Sequence, residues 1–359
     1  MSRLTKRMLT AVRFLAGHLR NPAAQSYYPQ AIRKSWPAIC LDNFRWMWRY
    51  REINHFYYFY GFDVKNGVNQ NDFFGLRAFR RLRDRANGSK IIGRRRASYT
   101  CLLRDKLVFG QYLKTLGFPT PKIIALCDRD TITWLDVHET EPLAGLLGRG
   151  RQDGFLKELL GECADGVYPL DVKDGRLYLD DQETTIGELS TVINDKSLIQ
   201  QRIRQHPRLD EMYPHSVNTI RLVTALKNDE AVALGAIFRA GVHGQRRDNS
   251  ASGGFAVGVE LATGKLQAEG IYQPGMGGKT KRHPDTNVEI GGFEIPCFNE
   301  AIRLACALHG FFYGVHSIGW DIAITPEGPC FIEGNDNWEV PTFLVYDRQF
   351  KQKFLESLP

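Results

Sequence analysis

The chain has 359 residues, of which 43% are hydrophobic and 24% charged, so it can bury a large core and is predicted to fold into two or three lobes. No apolar run approaches the roughly 20 residues that a membrane-spanning helix needs. Seven scattered cysteines without a C-x-x-C pair argue against a disulfide scaffold or a zinc site, and the N-terminus lacks a signal peptide's apolar core, so we expect a cytoplasmic protein.

The charge is unevenly distributed along the chain. Residues 1–106 contain 22 Lys and Arg against 6 Asp and Glu, a net charge of +16, whereas the whole chain carries +7. This basic front part predicts an anionic partner, which is nucleotide phosphate, nucleic acid or an acidic membrane surface.

Two N-terminal segments have helical patterns. Residues 3–20 place apolar residues at helical spacing among basic ones, which predicts an amphipathic helix that packs on its own protein or associates weakly with an anionic membrane surface. Residues 36–61 combine many aromatics with Arg45, Arg49 and Arg51, a composition found in single-stranded nucleic-acid sites. Helical spacing favours an aromatic core instead, and without an RNP-type or zinc-finger signature nucleic acid is disfavoured as a partner.

A helix is predicted over 107–116, a strand over 123–126 and a further helix over 132–147. Lys157 then ends a short strand in front of a glycine-bearing loop. A lysine there can hold phosphates as a point charge beside backbone N–H groups, and the alternative is a mobile surface loop. The chain has neither a P-loop nor a Rossmann glycine motif.

An arginine lies within a predicted buried strand further along the chain. Residues 218–226 are rich in β-branched side chains, and residues 231–240 are predicted to pair with them in a hairpin. A buried arginine is costly unless an anion pairs with it, so Arg221 either binds a phosphate or carboxylate ligand or has an internal acidic partner. The polar, glycine-rich segment 241–254 follows, and a loop of this length is functional or disordered.

The last predicted hairpin carries three oxygen donors. A three-residue loop at Pro326-Glu327-Gly328 places Asp321 opposite Glu333, and alternation along the strand puts Asn335 on the same face. Two carboxylates and an amide oxygen suit a hard cation such as Mg²⁺. The alternative is an edge hairpin with solvated carboxylates.

The order of these motifs resembles the ATP-grasp superfamily. The motifs are Asp105-Lys106 at a helix start, Lys157 before a glycine loop, Gln200-Gln201-Arg202-Ile203, Asn218-Thr-Ile-Arg221, Asn249 before Gly253-Gly254, Asp321, and Glu333-x-Asn335. The phrase from Asn218 onwards is most similar to the sugar-transfer-associated branch, which is related to α-L-glutamate ligases. The resemblance covers roughly residues 90–340 and is strongest in the C-terminal half.

The resemblance implies an α+β fold in which two lobes enclose ATP. The expected division is a basic helical region over 1–95, an N-terminal lobe over 96–205 and a C-terminal lobe over 206–359. Asp321, Glu333 and Asn335 are then expected to hold Mg²⁺, with Mn²⁺ as an alternative ion.

The resemblance also implies roles for the remaining motif residues. Lys106 and Lys157 are expected at the phosphates or the adenine edge, Gln200, Gln201 and Ile203 on the strand that hydrogen-bonds adenine, Arg221 at the γ-phosphate or acyl-phosphate, and Asn249 in a loop closing over the nucleotide. Many relatives have an acidic residue where this chain has Gln200 and Gln201.

The implied activity is ligation of a carboxylate to an amine, or to another nucleophile, through an acyl-phosphate. The expected substrates besides ATP are a small molecule or peptide with these groups, or a sugar-linked acceptor. Two alternatives are a small-molecule kinase of the same fold and a non-catalytic module that binds nucleotides or polyanions. No motif assigns the acceptor site, for which the candidates are His283, Arg239, Arg246, Arg247, Trp338 and the N-terminal aromatics.

Overall fold

The computed structural model describes residues 26–88, 90–92, 95–150, 152–161, 166–193, 196–244 and 253–359. The predicted helix over 3–20, together with Arg246, Arg247 and Asn249, lies outside the described residues.

The described N-terminal region is built around buried aromatic side chains. It contains helix α1 (Trp36–Tyr50), helix α2 (Leu76–Ala86) and a two-stranded hairpin of β1 (Lys90–Ile92) and β2 (Arg95–Ala97). Trp46 and the run from Tyr57 to Tyr60 are buried, with neighbouring rings in edge-to-face or tilted contact. The prediction of an aromatic core is therefore confirmed for these residues.

The first large sheet has eight antiparallel strands in the order β5-β4-β3-β10-β6-β7-β8-β9. Helices α3 (Cys101–Arg104) and α4 (Lys106–Leu116) precede it, and α5 (Ile186–Val192) precedes its last strand. Its strands are β3 (Ile123–Cys127), β4 (Thr131–Trp134), β5 (Glu139–Pro142), β6 (Gln152–Glu158), β7 (Val167–Lys173), β8 (Arg176–Leu179), β9 (Gln182–Thr184) and β10 (Ser197–Gln201).

The predicted helix over 132–147 is wrong. Ile132 and Trp134 are buried while their neighbours in β4 are not, which is the two-residue period of a strand. The chain then turns through His138, whose φ of 58° is left-handed, into β5 and a short 3₁₀ helix over 143–147. The apolar residues of β4 and of the 3₁₀ helix are separated by this turn, and together they give the spacing that predicts one helix.

The second sheet has seven antiparallel strands in the order β15-β14-β13-β12-β11-β16-β17. Its strands are β11 (Thr219–Lys227), β12 (Glu230–Ala240), β13 (Phe255–Val259), β14 (Gly270–Tyr272), β15 (Lys279–Thr280), β16 (Ser317–Thr325) and β17 (Gly328–Asn335). The helices of this part are α6 (Pro207–Met212), α7 (Phe298–His309), α8 (Pro341–Tyr346) and α9 (Phe350–Ser357).

The two faces of the second sheet belong to different cores. Ile220, Leu222 and Trp320 pack with α4 and α7 on one face. Val223 and Ala225 pack on the opposite face with the N-terminal aromatics and with α8 and α9. Arg221 lies two residues before Val223 on β11, so it is on the same face of the sheet. The N-terminal region therefore covers part of the face that carries Arg221. Among the described helices, none combines the length and apolarity that a membrane span requires.

Candidate functional site

The hairpin of β16 and β17 places Asp321 directly opposite Glu333, as the sequence predicts, but by a different route. The loop has two residues instead of three, because Thr325 pairs with Gly328. A bulge at the step from Asp321 to Ile322 adds one residue to β17 and restores the predicted register. Glu333 and Asn335 lie two residues apart on one strand, so they share the face of Asp321.

Asp321 is held by two arginines. Arg221 is its neighbour across β11 and β16 and binds it at two points, with Nε on Oδ1 and Nη2 on Oδ2 at 2.8 Å. Arg239, on the next strand, places its Nη2 3.1 Å from Oδ2. The sequence assigned Arg221 to a phosphate and Asp321 to a metal ion. In the structure these two side chains form an ion pair.

The ion pairs explain how a carboxylate stays charged in this position. Burial raises the pKa of Asp321, but the guanidinium charges of Arg221 and Arg239 and their hydrogen bonds outweigh it, so the pKa lies below its ordinary value. Asp321 is therefore an anion at neutral pH.

The oxygen donors of Asp321, Glu333 and Asn335 suit a hard cation, but they are not all equally available to one. Asn335 Nδ2 donates to the Gly319 carbonyl oxygen at 3.3 Å, which leaves the amide Oδ1 as an acceptor beside the Glu333 carboxylate. The Asp321 carboxylate has about four lone-pair sites, and the arginine contacts above already occupy three of them. Among the described residues no three His, Cys, Asp or Glu side chains cluster as a metal site.

The first sheet contributes Lys157 and Gln200. Lys157 lies on β6 and is 9% exposed, and its Nζ donates to Oε1 of Gln200 on the adjacent β10 at 2.7 Å. Phe155, two residues earlier, lies under the ammonium group at 5.8 Å from the ring centre. A neutral amide fixes the position of the ammonium group without cancelling its charge, which an acidic residue would do.

The other residues predicted for the first lobe lie near the ends of its elements. Lys106 begins α4, and its Nζ donates to the Gly161 carbonyl oxygen at the start of the glycine-bearing loop. Gln201 is the last residue of β10, and its backbone N–H donates to Lys122 at 2.9 Å. Ile203 follows the strand, so the predicted adenine strand ends two residues earlier than expected.

Strand β17 of the second sheet contacts the loop between α4 and β3, which leads into the first sheet. The Phe331 backbone N–H donates to the Pro119 carbonyl oxygen at 2.9 Å, and Thr120 Oγ1 donates to the Phe331 carbonyl oxygen at 3.1 Å. Burial raises the pKa of the Cys330 thiol to about 12, and the positive charge of Lys157 acts against this rise. Lys157 therefore lies within electrostatic reach of the strand that carries Glu333 and Asn335.

A second ion pair that the sequence did not predict ties α3 to the hairpin. Arg104 binds Asp336 at two points, 2.9 and 2.8 Å, and Asp336 is buried. The pair joins the residue run before Lys106 to the position after Asn335. The only signal for it in the sequence is that both charged residues adjoin predicted site residues.

Two residues predicted to recognise the acceptor are buried instead. His283 stacks on Tyr213 with ring centres 5.1 Å apart, and its Nε2 bonds the Gly241 carbonyl oxygen at 2.9 Å. Burial lowers the pKa of His283, so the ring is neutral. Trp338 is 1% exposed within the second core. These positions do not face a ligand, because aromatic packing surrounds both rings.

Three of the solved structures that this chain resembles are distant from it in sequence. D-alanyl-alanine synthetase A from Vibrio cholerae is 12% identical over 72% of this chain and 65% of its own, with a TM-score of 0.40. D-alanine–D-alanine ligase from Bacillus anthracis is 15% identical over 72% and 67%, with a TM-score of 0.39. N5-carboxyaminoimidazole synthetase from Staphylococcus aureus, solved with ADP, is 12% identical over 72% and 52%, with a TM-score of 0.40.

The chain thus spans less than two thirds of the first of these proteins and about half of the third. No curated protein matches it in sequence. Residues 93–356, which are more than half of the chain, match the family described as sugar-transfer associated ATP-grasp. The two-sheet α+β architecture is accordingly the ATP-grasp fold, and the chain belongs to the sugar-transfer associated ATP-grasp family.

Proposed function

We propose that the protein is an ATP- and Mg²⁺-dependent ligase that activates a carboxylate as an acyl-phosphate and transfers it to an amine. One observation carries the proposal: Asp321 lies opposite Glu333, on the strand that also bears Asn335, and is bound by Arg221 and Arg239. Phosphoryl transfer requires cationic and anionic side chains at one site, and in this proposal Lys157 of the first sheet completes the set.

The proposed reaction uses positioning and charge instead of a protein nucleophile. An oxygen of the substrate carboxylate attacks the γ-phosphorus, and the bond to the leaving ADP oxygen breaks. The amine then attacks the acyl carbon, loses a proton, and releases inorganic phosphate. Lys106, Lys157 and Arg221 neutralise phosphate charge in this scheme, and Arg239 joins them because it shares Asp321 with Arg221.

The nucleotide base is assigned to β10 and the residues after it. Gln200 and Gln201 hold the strand in place through Lys157 and Lys122, and Ile203 supplies an apolar contact beyond its end. Asn249, outside the described residues, is proposed for the loop that closes over the nucleotide.

Mg²⁺ would be held by Asp321, Glu333 and Asn335, and when bound it neutralises charge on the phosphates. Glu333 and Asn335 form the more available part of the set, since two arginines already bind Asp321. Glu333→Gln keeps the shape of the side chain and removes its charge. We expect this variant to bind Mn²⁺ with ATP at least about tenfold more weakly, measured as free Mn²⁺ by electron paramagnetic resonance.

The activity is tested by ADP release over a panel of amino acids and amino sugars, with hydroxylamine to trap the acyl-phosphate. ADP and hydroxamate that form only with a carboxylate support the ligase. A stable phosphorylated product without hydroxamate would identify a kinase instead. No binding of Mg·ATP by the wild type would leave the fold as a non-catalytic module and refute the proposal.

A further inference from the structure

Helix α1 has apolar side chains on two opposite faces. Ile39 and Trp46 are buried in the aromatic core. Leu41, Phe44 and Trp48 follow one another at intervals of three and four residues and therefore form a stripe on the opposite face. Phe44 is 56% exposed and Trp48 is 77% exposed. A helix that needed only to pack on its own core would carry polar residues on this side.

Exposed apolar side chains are concentrated in α1 and the segment before it. Twelve large hydrophobic side chains are exposed among the described residues, and five of them lie within 32–48. These five are Ile32, Leu41, Phe44, Met47 and Trp48. Exposed apolar residues are normal when scattered, whereas a contiguous patch marks an interaction surface.

The charges beside the patch select an anionic partner. Arg45 lies on the same helix and is exposed, and Arg51 follows at its end, while the exposed Arg49 donates to the Asn71 side-chain oxygen. The helix has one acidic residue, Asp42, and its carboxylate is bound by Lys34 at 2.7 Å and by the Tyr57 hydroxyl at 3.0 Å. Positive charge therefore borders the apolar stripe, with the helix's own carboxylate already neutralised.

We propose that this outer face of α1 docks on an anionic lipid surface. Trp and Phe prefer the boundary between headgroups and acyl chains, where arginines beside them meet lipid phosphates. A nucleic acid would use the charges and stack on the rings but would leave the aliphatic Leu41 and Met47 exposed. The lipid surface accounts for both sets of side chains.

Stable association with a membrane takes more than one weak anchor. Residues 3–20 have a similar basic and apolar composition, and the sequence predicts for them an amphipathic helix that packs on its own protein or associates weakly with an anionic membrane surface. Residues 3–20 are a separate segment of the sequence, so changes to α1 alone test the proposal.

The full-length chain is sedimented with vesicles of phosphatidylcholine alone and of phosphatidylcholine with phosphatidylglycerol. We expect binding to the anionic vesicles that weakens as salt is added. The variant Phe44→Ser/Trp48→Ser should bind at least about tenfold more weakly, because two large apolar side chains no longer insert. Arg45→Gln should weaken binding to the anionic vesicles only.

The matched control is Val137→Ser/Leu355→Ser, which removes two exposed apolar side chains elsewhere and should bind like the wild type. Unchanged far-ultraviolet circular dichroism and an unchanged melting temperature would show that each variant is folded. Equal binding of wild type and Phe44→Ser/Trp48→Ser would overturn the proposal. A wild type that does not bind vesicles would also overturn the proposal. That holds whether this face forms dimers, binds single-stranded RNA or is covered by the protein's own N-terminus.

Discussion

Arg221 and Asp321 face one another on adjacent strands and form a two-point ion pair, with Arg239 as a second cation on the same carboxylate. The net charge of the three groups is +1, and it lies on the sheet face that holds Glu333. An anionic ligand at this site therefore meets guanidinium groups whose orientation is already fixed. Fixed charges of this kind stabilise phosphoryl transfer because they need no reorganisation during the reaction.

Removing the shared carboxylate should destabilise the second lobe. Asp321→Asn leaves Arg221 and Arg239 close together without an anion, and both are largely buried. Breaking a buried pair in this way costs about 3 kcal/mol. For a lobe of this size we expect the melting temperature to fall by about 6 °C or more, measured by calorimetry without nucleotide.

The control for this change is Glu289→Gln, which removes an exposed carboxylate 3.1 Å from Arg282. Exposed pairs contribute about 0–1 kcal/mol, so the melting temperature should stay within about 2 °C of wild type. If Asp321→Asn melted like Glu289→Gln, the three-residue cluster would not contribute to stability.

His309 should make the second lobe sensitive to mild acid. Its Nε2 bonds the Val315 carbonyl oxygen at 2.9 Å and its Nδ1 bonds Thr224 Oγ1 at 2.7 Å, while Trp320 Nε1 donates to the same hydroxyl oxygen at 2.8 Å. These contacts fit a neutral ring in which Nε2 carries the hydrogen. Burial lowers the pKa of His309 to about 4.

The sign of the pH effect follows from that lowered pKa. Above about pH 6.5 both folded and unfolded states hold a neutral His309, so nothing is lost. As the pH falls from 6.5 towards 4, only the unfolded state takes up the proton, and about 3 kcal/mol of stability disappears. The difference in melting temperature between wild type and His309→Gln should therefore shrink as the pH falls from 6.5 towards 4. A difference in melting temperature that stays constant over this range would contradict a buried, neutral His309.

The hairpin shows what local sequence can predict and what it cannot. Alternation and turn residues were enough to predict both strands and the pairing of Asp321 with Glu333. The loop length was wrong, and the bulge that compensates for it depends on how β17 twists against its neighbours, which short-range patterns do not encode. The family resemblance made the metal assignment specific, since spacing alone also allowed solvated carboxylates.

Partners that are distant in the chain were the harder part. Arg239 was expected at the acceptor, because nothing near it in sequence indicates Asp321, which lies two strands away in the sheet. Trp48 was grouped with the core aromatics, although it lies on the outer face of α1. The order of strands decides the partner of Arg239, and the packing of α1 decides the exposure of Trp48. Neither can be predicted from composition.

Lys157 should be required for turnover and dispensable for folding. Lys157→Ala removes the buried ammonium group that the Gln200 side chain holds. We expect ADP release to fall at least about 100-fold, as with loss of one fixed charge at a reacting phosphate. Lys173→Ala, which removes an exposed lysine from the neighbouring strand, should release ADP like wild type. Turnover retained in Lys157→Ala would rule out its proposed role.

Gly319 should resist substitution because Trp338 and Arg221 pack against its bare backbone. A Cβ at this position would lie 2.7 Å from Trp338 Cβ and 3.3 Å from Arg221 Cδ, and Trp338 is fully buried. Gly319→Ala should therefore cost about 1–3 kcal/mol and displace Arg221, so ATP should bind more weakly in a nucleotide titration. Gly278→Ala, where a Cβ meets nothing within 4 Å, should change neither quantity. Wild-type melting and ATP affinity in Gly319→Ala would show that the tryptophan does not position the arginine.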